Sequence, residues 1–404
     1  MDSKKYLIQN IFKCNEKYFS TLKLPLKNTK AINAIISCRS PAAGTSFYRC
    51  ESQHNPIEVH HSCRHRSCFL CAAKSRAAWI DKQCSRLFDT AHFHVVFTLP
   101  HEYLNLWRYN DALFTSLIFK ASHETLVELM GDEKFHGVIP GILMALHTWG
   151  RQLTLHPHTH CLVTAGGLTH AGRWKSIDDY LLPIRVVKAF YRGKMQALIK
   201  QSFTDGELSL PPDMDVAEFL KLHKAAYAKE WSVRIEERYA HGKGVLLYLA
   251  RYFKGGPIHP NQIERCDPKE IVFRYFDHRD KRVKLLHLTQ KAFINRLLDH
   301  VPSMGVHTVR HYGLYASSGK VRREYCRELF GGLERTRKTA GESIRAVLIF
   351  CKQCGQLAHY THSLWRNSKG ISYIREGASD FVQQIDEQYI ASPLRSRDYC
   401  QLQV

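Results

Sequence analysis

His158 and His160 stand two residues apart in the stretch Leu155-His156-Pro157-His158-Thr159-His160-Cys161-Leu162-Val163, whose composition suits a β-strand. Side chains alternate faces along a strand, so the two imidazoles point the same way and can hold one cation between their ring nitrogens. His147 on the adjoining strand, or His94 on its neighbour, offers a third ligand. A cation held there would draw charge from a phosphodiester under attack. A nucleophile for such an attack is offered by Tyr248-Leu249-Ala250-Arg251-Tyr252, where two phenols lie four residues apart and share one face of a helix. At the same spacing two tyrosines also fill cores, and Arg251 falls on another face.

Cysteine supplies a third pattern. Cys50, Cys63, Cys68 and Cys71 end in a C-x2-C pair whose thiolates suit tetrahedral zinc, and His54, His60, His61 and His65 stand among them. Cys351 and Cys354 repeat the spacing far downstream and offer a second zinc site. The chain has 13 cysteines, and five of the first six crowd between Cys38 and Cys71. Short, crowded spacings in a long chain without a secretory leader favour metal over disulfides. Arg64 and Arg66, between Cys63 and Cys68, suit contact with phosphate.

Several elements are needed to position these groups. Residues 5–36 read as an amphipathic helical arm. His92 to Leu99 reads as a strand stopped at Pro100, and helix follows to about Met130. Ile142 to Trp149 and His158 to Thr164 read as an antiparallel hairpin, which sets His147 near His160. Residues 175–240 read as mainly helical, with a break at Pro211-Pro212, and Val245 to Tyr252 as a further helix. Ile271 to Tyr275 and Val283 to Leu288 form a second expected hairpin, followed by helix from Gln290 to Val301. Beyond Gly313 the chain is strongly basic, and past residue 375 its order is in doubt.

With 404 residues, 44% of them hydrophobic, the chain can bury a sizeable core. Lys and Arg number 58 against 37 Asp and Glu, a net charge of +21 that calls for a polyanionic partner, nucleic acid before a membrane surface. No apolar run approaches the roughly 18 residues that cross a bilayer, so neither a membrane nor export is expected.

Taken in order, these motifs resemble the insertion-sequence-91 family of transposases, rolling-circle elements of the two-tyrosine HUH class. The resemblance covers roughly residues 38–355 and rests on Ser62 to Cys71, His94 to Pro100, His147-Thr148-Trp149-Gly150 with His156 to His160, Tyr248 to Tyr252, and Val309-Arg310-His311-Tyr312-Gly313. It departs at Thr159, where the family's middle residue is usually hydrophobic, and at Gln53, where the family tends to place a cysteine. Cys63 or His54 then completes the zinc set that includes Cys50.

The resemblance implies an α+β fold: an antiparallel-sheet HUH endonuclease domain with helical insertions, beside a small N-terminal zinc-binding domain. The expected division is a helical arm over 1–37, a zinc- and DNA-binding domain over 38–85, the catalytic domain over 86–340, and a basic region over 341–404. Tyr248 and Tyr252 match the family's nucleophiles, His158 and His160 its metal ligands for Mg²⁺ or Mn²⁺, and structural Zn²⁺ is expected. Arg64, Arg66, Arg251 and Arg310 are expected at DNA. The implied partners are single-stranded DNA at the element's ends and target, with host replication proteins to open strands, in a bacterial cytoplasm at the nucleoid. Two other readings share the same motifs: a plasmid relaxase or replication initiator, and a non-catalytic zinc-dependent DNA-binding regulator.

Overall fold

A computed structural model describes residue 4 and residues 6–84, 86–240, 256–277, 279–330, 348–366, 371–376 and 382–385. The helix expected over 245–252, with Tyr248, Arg251 and Tyr252, lies outside the described residues. The strands are β1 (Thr45–Cys50), β2 (Ile57–His60), β3 (His92–Thr98), β4 (Val138–Trp149), β5 (Leu155–Thr169), β6 (Trp174–Ser176), β7 (Val233–Tyr239) and β8 (Ile263–Cys266). They continue with β9 (Glu270–Asp277), β10 (Arg282–Thr289), β11 (Val309–Gly313), β12 (Ile349–Phe350), β13 (Leu357–Arg366), β14 (Ser372–Glu376) and β15 (Val382–Ile385).

The described residues fall into two compact units. One holds the described residues of Lys17–Asn28 and Ala72–Arg337, the other those of Asp2–Glu16, Thr29–Cys71 and Lys338–Val404. The C-terminal region falls in the second unit. It supplies strands to the unit that holds β1, because β13 pairs antiparallel with β1.

In the larger unit the main sheet runs β11-β4-β5-β3-β7, with β6 added to β5. Every pairing is antiparallel. Period-two alternation sorts the two faces. Phe93, Val95 and Phe97 of β3, Met144 of β4, and Cys161 and Val163 of β5 join the core with the helices Asp111–Gly131, Ile184–Thr204 and Val216–Ala228. There Phe97 meets Tyr191 at 4.9 Å between ring centroids, and Tyr191 meets Trp231 at 5.5 Å. Full burial of each such side chain contributes about 2–3 kcal/mol. The opposite face carries Leu143, Ala145 and Leu162, packed under Phe88 and Tyr315, and then turns polar toward His147, His158 and His160.

The segment 175–240 is helical only in part. After Pro211-Pro212 the helix Val216–Ala228 starts on a capping box: the Glu218 N–H donates to Asp215 at 2.8 Å, and the Asp215 N–H donates to Glu218 at 3.0 Å. The segment then ends in β7, which pairs with β3. The alternation Val233, Ile235 against Arg234, Glu236 puts apolar side chains toward the core, and the charges that read as a solvated helix occupy the other face. The expected hairpin is also longer than its apolar run, since bulges beside Pro140 and His147 let β4 and β5 pair from Val138↔Thr169 to Trp149↔Leu155. Gly313 closes β11 at φ +56°, where a Cβ would collide with the Pro140 carbonyl oxygen. The second hairpin, β9 with β10, gains β8 and forms a three-stranded sheet.

In the smaller unit the sheet runs β15-β14-β13-β1-β2, with β12 on β13. The Gln9 side-chain amide donates to the carbonyls of Ile35, Ile36 and Cys38 at 2.9, 3.0 and 2.7 Å, satisfying the end of the helix Leu26–Ser37. No helix among the described residues is long and apolar enough to cross a membrane.

Candidate metal centres

β5 lies between β4 and β3, and this central position brings the histidines together. β4 pairs His147 with His158 and Ala145 with His160, while β3 pairs Val96 with His160 and His94 with Leu162. One donor atom each from His147, His158 and His160 lies within 4.8 Å of the others. The Nε2 atoms of His158 and His160 are 3.1 Å apart. Two nitrogens bound to one ion at its usual distance are separated by about 3.0–3.4 Å, so the gap fits a shared cation.

The tautomers agree with that fit. His158 Nδ1 donates to the His156 carbonyl at 2.6 Å, which leaves its Nε2 lone pair free to face His160. His160 Nδ1 stands 2.8 Å from His94 Nε2, and a proton on His160 Nδ1 turns the Nε2 lone pair toward His158. Of the two alternatives for a third ligand, His147 is in the donor set, and His94 instead holds the far nitrogen of His160. Burial pushes His158 down to about 3 and His94 down to about 4, and it holds His160 well below the usual histidine range. The positive neighbour Arg234 adds to each shift. The rings are thus neutral near pH 7, the form that binds metal.

These rings open into a cleft of about 1210 Å³ whose walls include His101, Arg151, Arg234, Tyr275 and Arg279. Arg234 was not legible as a site residue while its segment read as helix. On β7 it stands opposite Val96, on the histidine face. Arg310 lies elsewhere: its guanidinium donates to Ser116 Oγ at 3.3 Å and sits 4.6 Å from the Phe119 ring centroid.

The cysteines divide differently from the expected set. Cys63, Cys68 and Cys71 are joined by Cys38, not by Cys50. Sulfur separations are 3.5 Å for Cys38–Cys71 and 3.7 Å for Cys63–Cys71, against roughly 3.8 Å between thiolates around one tetrahedral zinc. These distances exclude a disulfide within the set, and its four cysteines are free thiols. Cys68 is lowered to about 5, first by the hydrogen bond from Cys63 and then by backbone N–H groups, while burial raises Cys38 to about 11 and the Cys68 partner raises Cys63, so Cys68 is the thiolate of this coupled group. Arg64 and Arg66 are exposed on the loop between Cys63 and Cys68. Cys38 was visible as part of the cysteine crowd, but the 25 residues to Cys63 hid its partnership. Cys50 lies instead with His54, Cys351 and Cys354, one donor atom from each within 4.8 Å of the others.

A family model described as a putative transposase matches residues 141–323, and one described as a transposase zinc-binding domain matches residues 10–99. The chain is 31% identical over 310 residues to a protein of Sinorhizobium fredii named putative transposase y4qJ, covering 75% of this chain and 78% of that one. It is 28% identical over 323 residues to the transposase for insertion sequence element IS801 of Pseudomonas savastanoi pv. phaseolicola, covering 77% of this chain and 76% of the relative. No solved structure gives a significant match.

Proposed function

Since the chain belongs to the IS91 family of transposases, we propose that it moves its element by rolling-circle transposition, cutting and rejoining single-stranded DNA through a phosphotyrosine intermediate. The observation that carries this reading is the convergence of His147, His158 and His160 at the floor of an arginine-lined cleft. Three imidazoles can hold a divalent ion, and Mn²⁺ or Mg²⁺ there would take its remaining oxygen donors from water and phosphate. When bound, the ion withdraws charge from the non-bridging oxygens of the scissile phosphate.

Tyr248 and Tyr252 are the nucleophiles in this reading. The phenol oxygen of one attacks phosphorus as its proton leaves. The bond to the 3′ oxygen breaks, that oxygen takes a proton, and the 5′ phosphate stays on tyrosine. A later attack by a 3′ hydroxyl reverses the step, so rejoining needs no ATP. The second tyrosine permits a second cleavage while the first is occupied. Arg151, Arg234 and Arg279 draw the phosphate backbone into the cleft, and Arg64, Arg66, Arg251 and Arg310 contribute phosphate contacts along the chain. Strand opening falls to host replication proteins, at the nucleoid in the cytoplasm.

The test is a single-stranded oligonucleotide carrying the element's end, incubated with the protein and Mn²⁺ or Mg²⁺. A denaturation-resistant adduct is expected, mapped to Tyr248 or Tyr252 and absent from the double Phe variant. An adduct that persists without both tyrosines overturns the nucleophile assignment. Binding with no adduct favours a zinc-dependent DNA-binding regulator.

A further inference from the structure

Cys351 and Cys354 lie outside both family-matched stretches, 141–323 and 10–99, yet the fold carries them to Cys50 and His54. Backbone pairing makes this placement. Ala358 on β13 faces Cys50 of β1 on one side and Ile349 of β12 on the other. The end of β1 and the turn after β12 therefore meet at one end of the sheet.

Both turns are shaped to aim donors inward. The Gln53 N–H donates to the Cys50 carbonyl at 3.0 Å, and Gln53 has φ +55°, so the next side chain, His54, swings back toward Cys50. Downstream, the Gly355 N–H donates to the Cys351 carbonyl at 2.8 Å, Gly355 has φ +71°, and the Cys351 N–H donates to the Gln356 carbonyl at 2.8 Å. His54 Nδ1 lies 3.4 Å from Cys50 Sγ and 3.6 Å from Cys351 Sγ. A sulfur and a nitrogen on one tetrahedral zinc are separated by about 3.6 Å.

We propose that Cys50, His54, Cys351 and Cys354 form a second structural zinc site, distinct from the Cys38, Cys63, Cys68 and Cys71 set, that clasps the C-terminal strands to the N-terminal zinc-binding region. β12 is two residues long, and such a pairing holds little by itself. Four donors drawn from both ends of the chain make metal binding and closure of this unit one event. The site stands independently of the phosphotyrosine reading, since its test reads metal and thiols only.

The full chain, purified without chelator, is expected to hold two zinc ions, and Cys351→Ser with Cys354→Ser is expected to hold one. A wild-type chain that takes up only one zinc when saturated, or a double variant that keeps two, overturns the proposal. Because the variant can misfold, the wild-type chain provides a second measurement through alkylation mapped by mass spectrometry. Cys354 and Cys14 are both exposed, and Cys14 belongs to no donor set found among the described residues. With zinc present, Cys354 is expected to react at least tenfold more slowly than Cys14, and chelator is expected to remove the difference. Equal rates in zinc, or a Cys351–Cys354 disulfide in the purified chain, would overturn the site.

Discussion

His94 Nε2 meets His160 Nδ1 at 2.8 Å, on the side of the His160 ring opposite the nitrogen that faces His158. On the proposed function this contact fixes which His160 nitrogen faces the cation, which makes His94 a positioning residue. His94→Ala is expected to weaken Mn²⁺ binding about 10- to 100-fold. His94→Gln, which keeps an acceptor, is expected to recover part of that loss. Calorimetric titration of Mn²⁺ checks both, and unchanged affinity in the Ala variant would remove the role.

On the proposed function, Arg234 acts on metal and DNA with opposite signs. Its charge is among the causes that hold His94, His158 and His160 low, so it repels a cation at the same rings. Arg234→Ala is expected to tighten Mn²⁺ binding about two- to fivefold. The same change is expected to weaken binding of a single-stranded oligonucleotide and flatten its salt dependence. A loss of both affinities would show that the arginine serves the fold instead.

The larger unit should weaken in acid. Burial lowers His92 and His300 to about 4 each, from an ordinary value near 6.5. Both pKa values are depressed in the fold, so the unfolded chain takes up protons first as pH falls. The stability is fully present above about pH 6.5 and is lost as pH drops toward 4, at about 3 kcal/mol per ring. Urea denaturation with chelator at pH 7 and pH 5 measures the change. His92→Gln, which keeps polar atoms near Tyr315 and the Thr90 carbonyl, is expected to reduce the pH dependence. A midpoint that does not move between the two pH values would contradict the assignment.

Gly313 and Gly172 both have positive φ, at +56° and +75°, but only Gly313 faces a neighbouring backbone. Gly172→Ala is expected to cost about 1 kcal/mol, the left-handed penalty alone. Gly313→Ala is expected to cost at least about 2 kcal/mol, because β11 must also retreat from Pro140. Equal losses in thermal or urea unfolding would place the cost in backbone conformation alone.

Local pattern carried much of this architecture. β-Branched and aromatic composition stopped at Pro100 identified His92 to Leu99, and the spacing of His158 and His160 put them on one face before any partner strand was known. What stayed hidden was non-local. β7 alternates as clearly as β3 does, yet Arg234, Glu236 and Arg238 gave it the composition of a solvated helix. Gly166 and Gly167 sit inside β5 although glycine usually ends a strand, because a bulge takes them up beside Pro140. Cys50 stands closer in sequence to Cys63 than to Cys351, and only the β1–β13 pairing reverses that order. Tyr248 and Tyr252 rest on motif order alone.

The pairing of β1 with β13 also sets a timetable for synthesis. Ser46 and Ser363, which share a hydrogen bond across those strands, are separated by 317 residues. At ordinary translation rates the ribosome needs roughly 15 to 60 s to cover that distance. For that interval β1 has only β2 beside it, while the strands of the larger unit emerge one after another and can already assemble. A message broken before codon 357 therefore yields a chain whose first strands never meet their partner.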